Sequence, residues 1–361
     1  MKQLSYLMFA LMFPFIVLVN DGCKKNSSGP GGPGGSLGSG SDEWLIPRNR
    51  VVDGGPGKDG IPALSNPQFV TVSQATYLSD NDLVVGYRKG NDIRAYSHNI
   101  LNWHEIINDD VTGDKLAVVY CPLTGTATGW NRMLSSGETT FGVSGLVYNT
   151  NVIPYDRKTN SNWSQMLLKS VNGSLSGTEV SNFQVIETAW KTWKEMFPNS
   201  KVISTSTGFN RNYSSYPYGD YRTNHNSLLF SIEPDDGRIP RKERVLGIIK
   251  EGKSKVYRFS SLSTANGIIK DVFKGESLVI AGDAQKNIMV AFENKLPDSS
   301  IPTFTLDNSG SGLLKDQFGN IWDVFGVAVS GPLTGQKLKS PQFIIGYWMA
   351  FGSFYPNAEI F

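Results

Sequence analysis

A chain of 361 residues is long enough for about two ordinary domains. Its net charge of +2, with only 18% charged residues, provides no field that would hold nucleic acid, so nucleic acid is excluded as an expected partner. Two cysteines occur, Cys23 and Cys121, and their contexts differ so much that a disulfide between them is not expected.

Lys2 and the apolar run 4–19, interrupted only by Ser5, read as an export signal. The run is shorter than the about 20 residues a helix needs to cross a bilayer. Asn20-Asp21-Gly22-Cys23-Lys24-Lys25 ends it. A small residue before a cysteine, followed by a Ser/Gly/Pro linker, resembles a lipoprotein processing site with Cys23 as the lipidated residue, although Asn20 stands where such sites carry leucine. An uncleaved anchor is the alternative. Residues 1–22 are therefore expected to be a signal peptide and 23–42 a flexible tether, its glycines concentrated in 29–40. The expected partner is a membrane, reached through an N-terminal lipid. The expected location is the cell envelope, periplasmic or surface-exposed. Oxidising surroundings make a free exposed thiol unusual, so Cys121 is expected to be buried, ligated or turned over.

From 43 onward the glycines and the β-branched and aromatic residues predict a mainly β chain with short helices, of the α+β class. Two related β-rich repeats are expected to pack together: 43–205 carries the candidate site, and 243–361 is degenerate. A tyrosine-rich connecting segment, 206–242, joins them. Leu83-Val84-Val85-Gly86 recurs as Arg244-Val245-Leu246-Gly247, each followed by a glycine hairpin, Lys89-Gly90-Asn91 and Glu251-Gly252-Lys253. Ile106-Ile107-Asn108-Asp109 recurs as Ile268-Ile269-Lys270-Asp271. Trp163 matches Trp322, and Trp190, Trp193, Phe197, Pro198 and Asn199 match Trp348, Phe351, Tyr355, Pro356 and Asn357. Ile186, Ala189, Trp190, Trp193, Met196 and Phe197 trace a helical stripe that Pro198 stops.

Only the first copy holds reactive side chains. The spacing predicts a helix over 97–109 with Ser97 as N-cap. Ile100, Trp103, His104 and Ile107 share one face of it, so His104 points inward, either as a satisfied core histidine or as an imidazole near a thiol. Cys121 ends the strand 115–120 at the turn Pro122-Leu123-Thr124-Gly125. That position suits a thiolate nucleophile or a metal ligand, or else a small buried hydrophobe. Trp103, Glu105, Asn149, Asp156, Arg157, Trp163, Gln165 and Tyr218 complete the candidate ligand-binding set. Asp156 and Arg157 read as an ion pair or a solvated turn, and Gln165 or Asn149 as oxyanion donors. The segment with Phe209, Arg211, Tyr213, Tyr216, Tyr218, Tyr221, Arg222 and His225 reads as a lid or as a strap packed over both repeats.

Trp103-His104-Glu105-Ile106-Ile107-Asn108-Asp109, Tyr120-Cys121-Pro122-Leu123-Thr124-Gly125, Phe141-Gly142-Val143-Ser144-Gly145-Leu146-Val147-Tyr148-Asn149 and Trp163-Ser164-Gln165 together resemble domain-of-unknown-function family 3179. The resemblance runs from about Asp59 onward and implies exported bacterial or archaeal relatives. Many members have a second cysteine where Thr124 stands, so a two-thiol mechanism is not open to this chain. It implies no reaction.

Three functions remain as expectations. In the first, Cys121 and His104 hold a soft metal, copper or iron, or form a redox site, with further ligands from Tyr, Asp, His98 or His225. The second is an enzyme in which His104 activates a Cys121 nucleophile. The third is a non-catalytic surface module that binds through its aromatic patches.

Overall fold

The computed structural model describes residues 43–361 apart from Ser311. The expectations for the signal peptide, the tether and Cys23 fall on residues 1–42, outside the described residues. The described chain is mainly β, 41% strand and 10% helix. Four short α-helices stand among the strands: α1 (His98–His104), α2 (Trp190–Met196), α3 (Phe259–Thr264) and α4 (Trp348–Phe354).

The N-terminal half is built from three five-stranded sheets. The first orders Ile186–Ala189, Leu83–Lys89, Asp92–Ser97, Lys201–Ile203 and Phe69–Thr71. The second orders Asn182–Phe183, Thr126–Asn131, Asp114–Cys121, Ile106–Val111 and Leu64–Ser65. The third runs Val51–Asp53, Phe141–Tyr148, Asn151–Asp156, Asn162–Ser164 and Lys169–Asn172. The C-terminal half follows a matching series with fewer edge strands. Phe343–Tyr347, Arg244–Lys250, Lys253–Arg258 and Glu359–Ile360 form one sheet, and Ile268–Phe273, Glu276–Asp283 and Ile288–Glu293 another. In both halves the strand after the closing helix pairs parallel to the second hairpin strand, Lys201 with Arg94 and Glu359 with Lys255.

Hairpin chemistry explains the first strands of each half. Gly90 and Gly252 take φ of 58° and 68° at the turns, a region where glycine meets no Cβ penalty. The middle of each first strand is also a glycine, for a packing reason. A Cβ on Gly86 would stand 1.9 Å from the Trp193 ring, and one on Gly247 would stand 2.1 Å from the Phe351 ring. The aromatic side chain of α2 or α4 thus lies directly on strand backbone, and any larger residue would expel it.

The two halves share one core. Val84, Ala95, Trp190 and Trp193 belong to the same buried cluster as Val279, Val290, Phe292 and Trp322. The contact between the halves is reciprocal at the edge strands. Tyr347 N–H donates to Thr124 O at 2.7 Å, in the turn after Asp114–Cys121. In the other direction, Thr188 and Thr192 hydroxyls donate to Lys286 O at 3.1 and 2.7 Å, in the turn after Glu276–Asp283.

Two helix expectations are corrected. The helix expected over 97–109 spans only His98–His104, because Ile106–Val111 is a strand paired with Asp114–Cys121. Its β-branched residues fit a pleated, half-buried surface better than a helix. Ser97 occupies the N-cap position without a capping hydrogen bond, and its hydroxyl meets Tyr77 OH instead. Likewise Ile186–Ala189 is strand, and α2 starts at Trp190.

Residues 204–243, between Lys201–Ile203 and Arg244–Lys250, contain no strand or helix. They are nonetheless anchored. Tyr213 and Tyr221 are buried, and the Lys242 ammonium donates to Tyr221 O, Asn224 O and Ser227 O while lying 3.3 Å from the Tyr221 ring centroid. Three carbonyl acceptors require all three donors of the charged amine. Burial pushes Lys242 down to about 8.

Candidate functional site

His104 closes α1, fully buried, and both of its nitrogens are occupied. Nδ1–H donates to Pro62 O at 2.7 Å, since a carbonyl can only accept, and Nε2 then accepts from Tyr213 OH at 2.7 Å. Thr207 continues the chain through its hydroxyl contact with Tyr213 OH. Burial holds the imidazole below its ordinary pKa, with Arg211 acting in the same direction, so the ring is neutral in this network. No hydrogen bond joins His104 to Cys121 among the described residues.

Cys121 ends the strand Asp114–Cys121, opposite Thr126, and is fully buried in a cluster with Leu123, Tyr221, Tyr347 and Met349. Its thiol donates to Thr150 O at 3.6 Å. Burial, and after it the charge of Glu105, pushes the thiol up to about 11. As folded, the sulfur is a protonated thiol behind a wall of tyrosines.

Glu105, placed among the ligand-binding candidates, is the residue whose charge the fold brings to bear on Cys121. It caps α1 with φ 57° and ψ −35°, off the left-handed helical region that non-glycine residues visit. Its N–H donates to Leu101 O at 2.8 Å and its carbonyl accepts from Tyr120 N–H at 2.7 Å, which fixes it beside the end of the Cys121 strand. Such a backbone costs about 1–3 kcal/mol. The side chain adds to that cost: Glu105 is 5% exposed, and no hydrogen bond or ion pair reaches its carboxylate among the described residues. Burial pushes its pKa up to about 8. Tyr218 completes the group. Burial first, then the charges of Glu105 and Cys121, raises its hydroxyl, which makes no hydrogen bond among the described residues.

The remaining candidates are placed elsewhere or fully engaged. Gln165 uses its whole side chain, accepting from Thr126 Oγ1 and Asn151 Nδ2 and donating to Val119 O and Thr126 O, so it has no donor free for an oxyanion. Asn149 ties Arg50, Glu233 and Ser353 together. Asp156 does not pair with Arg157: it accepts from Trp163 Nε1 at 3.1 Å and from Thr159, while Arg157 pairs with Asp59 at 2.7 Å. Asp316 holds Trp322 Nε1 at 3.0 Å in the same way, which marks the Asp156–Trp163 contact as scaffold. Trp163 is core, packed on Phe141 and Trp130. Trp103 Nε1 donates to Ser215 O at 3.2 Å and its ring lies under Arg211. His98 bonds Glu187, and His225 Nδ1 accepts from Lys242 N–H.

A soft-metal centre needs several ligands converging on one point. Among the described residues, no group of three or more His, Cys, Asp or Glu side chains is placed to hold an ion. The copper or iron expectation therefore finds no ligand set around Cys121 and His104.

The special weight of Glu105 was legible in one respect. In the C-terminal half the same corner is Gly267, with φ 81°; its N–H donates to Leu262 O at 2.8 Å and its carbonyl accepts from Gly282 N–H at 3.0 Å. A glutamate standing where the other half has a glycine, at the residue before the strand, signals a side chain held in a costly place.

A family model described as "Protein of unknown function (DUF3179)" matches residues 58–358. No curated protein and no solved structure matches the chain. Among the described residues, no helix is long and apolar enough to cross a membrane.

Proposed function

From the premise that the chain belongs to the DUF3179 family, whose description assigns no activity, we propose that it is an exported head whose N-terminal half works through a thiol–carboxyl pair, Cys121 and Glu105. The observation that carries this reading is the Glu105 carboxyl, buried without a partner next to the Cys121 strand on a backbone that glycine would adopt at lower cost. Buried, unpaired acids and strained residues gather where chemistry is done, and elsewhere selection has no reason to keep them.

The pair suits nucleophilic thiol chemistry. Ionised Glu105 takes the S–H proton as the sulfur bonds to an electrophilic centre, and it returns that proton to the departing group. His104 acts one step removed, tying α1 to Pro62 and to the segment over the site through Tyr213. Export and attachment through Cys23 are supported by the apolar run 4–19 and the Gly22-Cys23 junction. An origin by internal duplication is supported by the matching strand order of the two halves.

The test is the pH profile of Cys121 alkylation by iodoacetamide, followed by site-resolved mass spectrometry in the full chain. The native protein should show an inflection near pH 8, where Glu105 ionises. Glu105→Gln should lose the inflection and react at least about tenfold more slowly at pH 8.5, the lower end of general-base effects. An unchanged profile, or a faster reaction in the Gln variant, would reduce Glu105 to a charge that merely suppresses the thiolate.

A further inference from the structure

A recess lies where the two halves and the connecting segment meet. Its volume is about 350 Å³ and it is open to solvent on one side. Asn102 and Tyr120 come from the N-terminal half, Tyr216 and Arg222 from the connecting segment, and Arg244 and Tyr347 from the C-terminal half. That size sits at the small end of ligand pockets, about 300–1,000 Å³.

The polar groups of this wall are short of partners. Asn102 is 6% exposed, yet its side chain makes no hydrogen bond among the described residues, and its Oδ1 is a buried orphan. Tyr216 OH and Arg244 Nε are likewise buried without partners. The hydroxyls of Tyr120 and Tyr347 make no hydrogen bond among the described residues. Three buried orphans on one wall, Asn102 Oδ1, Tyr216 OH and Arg244 Nε, are uncommon in a settled interior, and a wall waiting for a ligand accounts for them.

Charge selects the kind of ligand. Arg244 is already neutralised by Glu187, which also holds His98. Arg222 is different: stacked 4.9 Å from the Tyr216 ring centroid, it has no acidic partner among the described residues. Asp82, the acid on the rim, already accepts from Ser79 N–H and Asn99 Nδ2. Beside the acceptors Asn102 Oδ1 and Asp82, the recess therefore offers one free guanidinium together with the Asn102 Nδ2–H and the tyrosine hydroxyls as donors, a set that can hold an oxyanion.

The geometry points to a binding site, formed jointly by both halves and the connecting segment, for a small molecule carrying a carboxylate or phosphate group, with Arg222 as the principal contact. The anion is held by Arg222 and the Asn102 amide, and the tyrosine hydroxyls orient the rest of the molecule. This goes beyond the thiol reading and does not rest on it, because none of these groups is Cys121 or Glu105.

The experiment is titration of the full chain with inorganic phosphate and, separately, acetate, read by calorimetry and by the shift in melting temperature. At least one anion should bind saturably, and the arm that binds more tightly names the head group. Arg222→Ala, an exposed residue whose loss should not unfold the chain, should weaken binding at least about tenfold, as removal of a charged hydrogen-bond partner does. Asn102→Ala should weaken it less. Lys315→Ala, an exposed lysine on Leu314–Asp316, should bind as the native chain does. Failure of both anions to bind saturably, or native binding in Arg222→Ala and Asn102→Ala together, would overturn the assignment.

Discussion

The residue before Ile106–Val111 and the residue before Ile268–Phe273 are held alike through their carbonyls, Glu105 accepting from Tyr120 N–H and Gly267 from Gly282 N–H, but Glu105 caps α1 directly while Gly267 follows α3 after Ala265 and Asn266. Where the turn serves only to join helix to strand, glycine fills it. Where it stands against Cys121, the chain tolerates backbone strain and an unpaired buried acid. The strand order recurs in both halves, and the thiol–carboxyl pair proposed above sits in one of them, at a strained corner of the backbone.

The largest effects should come from what the halves share. Trp193→Ala and Phe351→Ala each remove an aromatic ring seated on a strand glycine, and each should cost about 3–5 kcal/mol by denaturant titration. A large loss in one and a negligible loss in the other would break the likeness of the halves. Next comes a transplant. A Cβ on Gly267 would meet Leu306 Cδ1 at 2.5 Å and Gly282 O at 2.9 Å. Gly267→Glu should therefore lose about 2–4 kcal/mol, from overpacking together with backbone strain.

The converse change should stabilise. Glu105→Gly relieves the strain and removes the unpaired carboxyl, so it should gain about 1–3 kcal/mol while Cys121 loses its proton acceptor. Loss of stability in that variant would mean that Glu105 holds the fold together through contacts its surroundings do not reveal. The smallest effect is a slope. Because burial raises the Glu105 pKa from 4.5 to about 8, the folded state keeps a proton that the unfolded chain releases. Its contribution to stability is fully present below pH about 4.5 and is lost as pH rises through about 8. Native stability should therefore decline across that window by at most about 1.4 kcal/mol per pH unit relative to Glu105→Gln.

Much of the fold was legible because its signals are local. Gly90 and Gly252 mark the hairpins, and the aromatic stripe that Pro198 stops marks α2, though not its start. The end of α1 was hidden, since a glutamate at positive φ gives no local sign, and apolar Ile107 extended the helical stripe into what is a strand. That error also misdirected the site. On one continuous helix His104 is the inward residue. With the chain turned at Glu105, the imidazole goes to Pro62 and Tyr213, and the Glu105 carboxyl is near enough for its charge to act on the thiol. The Arg222 recess was out of reach for a different reason: its wall comes from three distant stretches that only the packing of the halves brings together.

The most direct measurement is the titration of the Glu105 carboxyl itself, by carbon-detected NMR of glutamate-labelled protein with Glu105→Gln as the blank. The expected result is a midpoint near 8, together with a Cys121 titration that changes when Glu105 is replaced. A midpoint near the ordinary 4.5, with a Cys121 titration indifferent to the substitution, would show a hydrated carboxylate apart from the thiol and contradict the pairing.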